Sequence, residues 1–241
     1  MHQPQTFAWG GQRYRYGAWH AEDGTAFLAP EHTAGPPSAP VLRRLLDQLS
    51  DLGFVAVVTS ALNESVTPTF LSVGFQRIDE LAVLRHDLAT IVDAPDVEHH
   101  RGTTKDRAAV LELDALAFQP AWRLDGVGLD DAIHATRAAR WRVVDAPPAS
   151  GDAADRPSAY AVSGRSGRAG FLQRLAVHPE HLRQGIGRAL VADCLKWNRR
   201  WACRSVLVNT QKSNEAALAL YRDCGFERTQ PDLHVLRTEL R

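Results

Sequence analysis

The stretch FLQRLAVHPEHLRQGIGRALVADCL, residues 171–195, reads as a strand, a turn and a helix in that order. Leu172, Leu175 and Val177 form an apolar-rich run, and Pro179, which has no N–H for a ladder, closes it. After a short turn, Gly185 and Gly187 flank Ile186 where Leu190, Val191, Cys194 and Leu195 begin to recur at helical spacing. The glycines therefore sit at a helix N-terminus, whose unpaired N–H groups and positive dipole end attract phosphate. Glycine there lets a pyrophosphate reach the backbone. Arg183 and Arg188 add positive charge on either side. A G-x-G before a helix is by itself a common tight turn, so the reading needs support elsewhere.

That support lies downstream. Asn214-Glu215-Ala216-Ala217 opens a second helix, which carries Tyr221 and ends at Cys224-Gly225-Phe226 with Gly225 as its C-cap. Leu175-Ala176-Val177, the loop Arg183-Gln184-Gly185-Ile186-Gly187-Arg188-Ala189, and Asn214, Tyr221 and Gly225-Phe226 follow in the order and spacing of one family. Over residues 97–241 the chain resembles the GCN5-related N-acetyltransferase (GNAT) superfamily. The resemblance implies an α/β fold with a mixed central sheet flanked by helices, and acetyl-CoA (coenzyme A) as co-substrate. It also implies roles. Leu175, Ala176 and Val177 would contact the cofactor's pantetheine arm through their backbone. Arg183, Gln184, Gly185, Ile186, Gly187 and Arg188 would hold its phosphates, and Asn214 would make a polar contact. Tyr221 would touch the cofactor and give a proton to the departing thiolate. Read from the residues alone, Tyr221 shares a helical face with Asn214, Ala217 and Leu218 and would pass for core, and Asn214 for a helix cap.

Acyl transfer from a thioester to an amine needs an oxyanion donor, an acid for the sulfur and a base for the amine. Backbone N–H groups near Leu175 would serve as the first. No base stands out. In the ribosomal-protein N-terminal acetyltransferases, which the 185–226 region resembles, a glutamate lies five residues before the helix asparagine; here that position is Asn209. The family's Gln or Arg ahead of the glycines is here Leu182, with Arg183 adjacent. Asp125, Asp130, Asp131 and His178 are substitutes for the base. Trp122 and Asp125 fall in the loop 117–130, which borders the acceptor groove in related proteins, so both are substrate-binding candidates; Trp122 reads equally as a loop anchor. The function expected is transfer of acetyl to an amine of a small molecule or peptide by direct attack. Alternatives are a protein N-terminal acetyltransferase and a non-catalytic acyl-CoA-binding regulator or scaffold. His178 and His181 have metal-like spacing, but Pro179 intervenes and no third ligand is apparent, so no metal is expected.

The remainder of the chain repeats this pattern in a shorter form. Asn63-Glu64 recurs as Asn214-Glu215 and Gly74-Phe75 as Gly225-Phe226, both at an offset of 151 residues. Phe70 then falls on Tyr221, Arg77 on Arg228, and Val55 and Val57 on Val206 and Val208. Residues 1–90 thus read as a truncated, structural second copy ahead of a complete domain over 97–241. Its equivalent of the glycine loop falls among Gly35, Pro36, Pro37 and Ser38, and proline has no N–H for phosphate. The expected elements are strands at 14–19, 25–28 and 54–59, and helices at 41–52 and 67–73. An extended run follows from 74 toward 88, with a first strand of the complete domain at 97–101. Thr103 or Thr104 would cap the next helix, and a further helix would span 129–137. Strands are expected at 140–144, 158–162, 168–178, 205–209 and 234–240, with a loop at 147–157.

Composition narrows the partners. Formal net charge is +0 and 44% of the 241 residues are apolar, which supports a core but no general attraction to nucleic acid or an anionic membrane. Trp197 to Trp201 reads as an arginine-bearing helix C-terminus rather than a base-stacking patch. No run approaches the ~20 apolar residues of a membrane span, and the start of the chain has no signal-peptide core. The three cysteines have neither zinc spacing nor an even count. A cytoplasmic protein is expected, with a homodimer as an assembly the reading allows.

Overall fold

The computed structural model describes residues 5–31, 37–146 and 156–240. The readings on Gly35 and Pro36, and on most of the 147–157 loop, lie outside the described residues. Contacts divide the chain into two units. One comprises Met1–Val83 with Thr210–Ser213 and Thr229–Arg241; the other comprises Leu84–Asn209 with Asn214–Arg228. Each is α/β and built on a mixed sheet.

The first unit begins with β1 (Gln5–Trp9), β2 (Gln12–Ala18) and β3 (Thr25–Pro30), continues through α1 (Ala39–Asp51), β4 (Ala56–Thr59), β5 (Leu62–Asn63) and α2 (Thr67–Leu71), and enters β6 (Gln76–His86). Strands β1, β2 and β3 form an antiparallel meander, and β3 pairs parallel to β4. Two strands were expected before α1 and three form. The extra one is joined by Gly10-Gly11, both at positive φ, the two-residue turn that suits a hairpin. On α1 the buried stripe is Val41, Leu42, Leu45 and Leu49, facing Leu28, Val57, Phe70 and Phe75 in one core. Each fully buried leucine contributes roughly 1.5–3 kcal/mol. The helix starts two residues before the expected 41–52 because Pro40 fits the first turn, where no N–H is needed.

The second unit holds β7 (His100–Arg101), α3 (Arg107–Ala117), α4 (Gly126–His134), β8 (Ala138–Asp145), β9 (Pro157–Ser166), β10 (Ala169–Val177), α5 (Ile186–Arg200), β11 (Ser205–Gln211, to residue 209) and α6 (Glu215–Asp223). The last strand of the chain, β12 (Glu227–Glu239), starts here and lies mostly in the first unit, where Arg237, Thr238 and Glu239 pair with β4. Within the second unit the order is β11-β10-β9-β8-β7, antiparallel except for the parallel β10–β11 pair. Its core is Val110, Leu113, Leu129, Val143, Tyr160, Val162 and Ala176.

Three expectations are corrected in this unit. Strand β7 is two residues long rather than 97–101, since the His99 ring pairs with the Val97 carbonyl at 2.9 Å and takes an acceptor that a ladder would use. Neither Thr103 nor Thr104 caps α3. Asp106 precedes that helix and turns its carboxylate back onto the Thr103 N–H and hydroxyl, at 2.6 and 2.8 Å. Helix α4 starts at Gly126 rather than 129, because Asp125 caps it by accepting the Gly128 N–H at 2.7 Å. That cap outweighs the poor helix propensity of Gly126 and Gly128. No helix among the described residues is long and apolar enough to cross a membrane.

Candidate active site

Strands β10 and β11 lie side by side for only three residues. Ala169, Gly170 and Phe171 pair in turn with Ser205, Val206 and Leu207, and the ladder stops there. On its other edge β10 stays paired with β9 as far as Val177. From residue 172 onward, the edge of β10 that faced β11 therefore carries backbone groups with no ladder partner. Alternate residues of a strand face opposite edges. With the His178 N–H on the Ser158 carbonyl at 2.8 Å, it is Leu175 and Val177 whose backbone groups face the open side, while Ala176 pairs with Tyr160 of β9. A β-bulge interrupts the β9 pairing between Leu172 and Arg174, leaving Gln173 as the extra residue. Bulges twist a strand and re-aim its side chains and amides.

The open edge leads into the glycine turn. A 3-10 turn, Pro179–His181, follows β10, and His178 caps it by accepting the Glu180 N–H at 3.3 Å. Arg183 and Gly185 both take positive φ, at 63° and 82°. Gly185 is the N-cap of α5 and has no side chain to cap with. The first bond closing onto α5 runs from the Ala189 N–H to the Gly185 carbonyl, at 3.0 Å. The amides of Ile186, Gly187 and Arg188 precede the ladder and stand at the positive end of a 15-residue helix.

The two glycines are required for a reason the sequence reading did not supply. A Cβ on Gly185 would fall 2.8 Å from Pro95 Cγ, and one on Gly187 would fall 3.2 Å from Leu220 and 3.6 Å from Val177. Close packing and positive φ, rather than direct approach of a ligand to the α-carbon, set the residue type. Arg188 donates from Nε to the Asp93 carbonyl at 3.0 Å. Arg183 and Gln184 are exposed, and Gln184 reaches back to the Glu180 carbonyl at 3.3 Å.

Asn214 caps α6, its side-chain oxygen accepting the Ala217 N–H at 3.0 Å; its amide NH2 is not used in that bond. Tyr221 is buried, with 6% of its surface exposed, and its ring lies 5.8 Å from Phe226. Burial pushes the Tyr221 hydroxyl well above the ordinary phenol range, so it is protonated at neutral pH and has a proton to give. Burial likewise raises the thiols of Cys194 and Cys224, to about 12 and about 11. Neither is a thiolate nucleophile at neutral pH.

The candidate bases are placed differently from one another. Asp125 caps α4. Asp130 is held by Arg107 at 2.6 and 2.7 Å, and that bond keeps its carboxyl below the usual range. Asn209 is exposed. Trp122 lies in a 3-10 turn, Pro120–Trp122, with its carbonyl bound by Arg174 at 2.7 Å. Among the described residues no three His, Cys, Asp or Glu side chains are grouped to hold a metal.

The sequence reading missed a buried cluster beneath this loop. Asp114 on α3 is fully buried and receives Arg174, Tyr160 and the Leu124 N–H. The run Leu111-Glu112-Leu113-Asp114-Ala115-Leu116 holds two acids, of which Glu112 is exposed and Asp114 buried, so nothing local singles Asp114 out. Acids are almost never fully buried unless paired.

Comparison with known proteins agrees with this geometry. Residues 149–226 match the model of the Acetyltransferase (GNAT) family. An aminoglycoside N(6')-acetyltransferase type 1 of Stenotrophomonas maltophilia is 35% identical over 71 residues, 30% of this chain and 46% of that protein. A mycothiol acetyltransferase of Actinosynnema mirum is 26% identical over 167 residues, 66% of this chain and 56% of that protein. The chain thus spans about half the length of these relatives. In fold alone, it is similar to a tandem GNAT protein from the clavulanic acid biosynthesis pathway, with a TM-score of 0.65 at 14% identity over 95% of this chain and 79% of that one. A GCN5-related N-acetyltransferase from Sphaerobacter thermophilus gives a TM-score of 0.63 at 14% identity over 96% and 77%.

Proposed function

We propose, from the match of residues 149–226 to the GNAT acetyltransferase family, that the chain is an acetyl-CoA-dependent N-acetyltransferase acting on an amine of a small molecule or peptide. The observation that carries this reading is the parting of β10 from β11 after Phe171 and Leu207. It leaves one strand edge free to pair with an extended, amide-bearing arm, and that edge runs into a helix start with three unused amides. Acetyl-CoA has those two parts, an amide-containing pantetheine arm and a pyrophosphate.

The residues have distinct tasks under this proposal. Backbone groups of the open edge at Leu175 and Val177, on either side of Ala176, hold the arm, and an N–H of the same edge steadies the oxyanion. The amides of Ile186, Gly187 and Arg188 take the phosphates, with Arg183 and Gln184 at the rim. Asn214 offers its side-chain NH2 to the cofactor while its oxygen caps the helix. Tyr221, protonated, donates to the sulfur as it leaves. The protonated state of Cys194 and Cys224 favours direct attack by the amine over an acyl-enzyme. We assign the transferase domain to 97–241 and a structural role to 1–90. The names of the aminoglycoside and mycothiol relatives favour a small-molecule acceptor. A metabolite supply of acetyl-CoA suits the cytoplasm.

A second reading, an acyl-CoA-binding regulator, draws on the base. Asp125 and Asp130 are engaged, and Asn209 cannot accept a proton. Calorimetric titration of acetyl-CoA, followed by thiol release with a panel of amines, separates the two. The expected result is one site per chain and release of free thiol with at least one amine. Binding without thiol release on any amine would pass the function to the regulator, and two sites would overturn the structural role of 1–90.

A further inference from the structure

The Asp114–Arg174 pair leaves part of the arginine unspent. Asp114 is 0% exposed and the Arg174 side chain 12%. The carboxylate is saturated. One oxygen accepts the Tyr160 hydroxyl at 2.5 Å and Arg174 Nε–H at 2.8 Å; the other accepts Arg174 Nη2–H at 2.8 Å and the Leu124 N–H at 2.7 Å. The second Nη2 proton goes to the Trp122 carbonyl at 2.7 Å. The guanidinium carbon lies 3.5 Å from the centre of the Phe118 ring. Arginine has five N–H donors, and three are used. The two on Nη1 have no partner among the described residues, and Nη1 is not among the fully buried orphan atoms. A rigid donor edge is thus left beside the strand that the acetyltransferase reading assigns to the cofactor.

Its place in the chain gives that edge a use. Arg174 is the first residue past the bulge and immediately precedes Leu175. Its charge is felt at the Tyr221 hydroxyl. The loop that holds Phe118, Trp122 and Leu124 hangs from the same ion pair. Because Asp114 offsets the guanidinium charge, the free edge selects by the geometry of two N–H groups and not by net charge.

We propose that Arg174 is an acceptor-specificity residue whose Nη1 edge donates to a carbonyl or carboxylate oxygen on the amine substrate. The preferred acceptors are then amino acids, their amides and peptide amines, over amines that lack such an oxygen. Lysine in its place keeps a charge for Asp114 but has no planar fork with which to present the second edge. The inference rests on the acetyltransferase reading above.

The test compares phenylalanine, phenylalanine amide and phenethylamine as acceptors, in rate with acetyl-CoA and in calorimetric binding with coenzyme A present. Wild type is expected to favour the two carbonyl-bearing amines by about tenfold or more in kcat/KM. Arg174→Lys is expected to bring that ratio close to one, chiefly through KM, with the acetyl-CoA Kd within about twofold of wild type. Equal use of the three amines by wild type overturns the assignment. So does a uniform loss on all three in Arg174→Lys, which would mark a purely structural arginine. If Arg174→Lys no longer binds acetyl-CoA, the wild-type preference decides. If nothing is acetylated, the acetyltransferase reading fails, and the calorimetric preference alone decides for or against Arg174.

Discussion

The turns that end α2 and α6 share one pattern of bonds. In each, a glycine at positive φ follows the helix, Gly74 at 103° and Gly225 at 87°. Its N–H returns to a carbonyl three residues back, Leu71 at 3.1 Å and Arg222 at 2.9 Å. The phenylalanine that follows reaches five back, Phe75 to Phe70 at 3.3 Å and Phe226 to Tyr221 at 2.9 Å. In each, that phenylalanine packs on the aromatic ring five residues earlier, at 5.3 and 5.8 Å. The parallel strand pairs differ. Thr25, Ala26, Phe27 and Leu28 of β3 all pair with β4, and the Ser60 N–H continues onto the Leu28 carbonyl at 2.8 Å. The β10–β11 ladder stops after three residues. One pair spends its backbone groups on itself, and the other leaves part of a strand edge without a ladder partner among the described residues. Packing rules that make the fold can therefore be met twice in one chain while, among the described residues, the two parallel strand pairs part company at different lengths.

The largest effect that would sharpen this comparison concerns the hydroxyl that distinguishes Tyr221 from Phe70. Tyr221→Phe is expected to lower kcat about 10²-fold with the acetyl-CoA Kd unchanged, as for loss of an acid that acts only in the transition state. The reciprocal Phe70→Tyr should confer no activity. It would bury a hydroxyl at a 0% exposed site and cost about 1–3 kcal/mol, read as a lowered Tm. A Tyr221→Phe protein with full kcat would make the two aromatics equivalent, and the acid would have to be sought elsewhere.

A smaller effect is expected at the glycine turn. Gly185→Ala places a Cβ at positive φ and 2.8 Å from Pro95 Cγ, so either the turn or the 93–95 segment must shift. Acetyl-CoA affinity should fall about tenfold, since the three helix-start amides lose their common aim. The measurement is a titration at constant protein fold, checked by circular dichroism. Unchanged affinity would move phosphate binding away from this turn and weaken the contrast with β3 and β4.

How much of this was legible in the residues depended on the distance over which each signal acts. The strand, turn and helix at 171–195 were readable because period and punctuation are local. So was the Gly225 cap. The break in the β10–β11 ladder was not, because Leu207 and Val208 look as strand-like as Val57 and Val58. The bulge at Gln173 was hidden for a similar reason, since one extra residue leaves the apolar count of the strand unchanged. Asp114 and Arg174 lie 60 residues apart, and each alone resembles a surface charge. The cap at Asp125 was overlooked because two glycines follow it, and a cap's benefit is not visible in propensity.

The smallest effect is expected where one helix of each unit ends differently. Helix α1 is followed by Gly53 at φ 87°, whereas α5 is followed by Ala202 at φ 52°. The bonds are alike: Gly53 N–H reaches Ser50 O at 2.9 Å and Ala202 N–H reaches Arg199 O at 3.0 Å, while Phe54 and Cys203 each reach five back, at 3.1 Å. Left-handed backbone costs an L-residue roughly 1–2 kcal/mol, and glycine avoids that strain but loses more entropy on folding. The balance at an exposed position favours Ala202→Gly by about 0.5–1 kcal/mol, read in urea as a higher midpoint at constant m. Gly53→Ala should lose a similar amount. A destabilised Ala202→Gly would mean that α5, the helix whose start is proposed to hold phosphate, is fastened at its far end by something other than the turn that fastens α1.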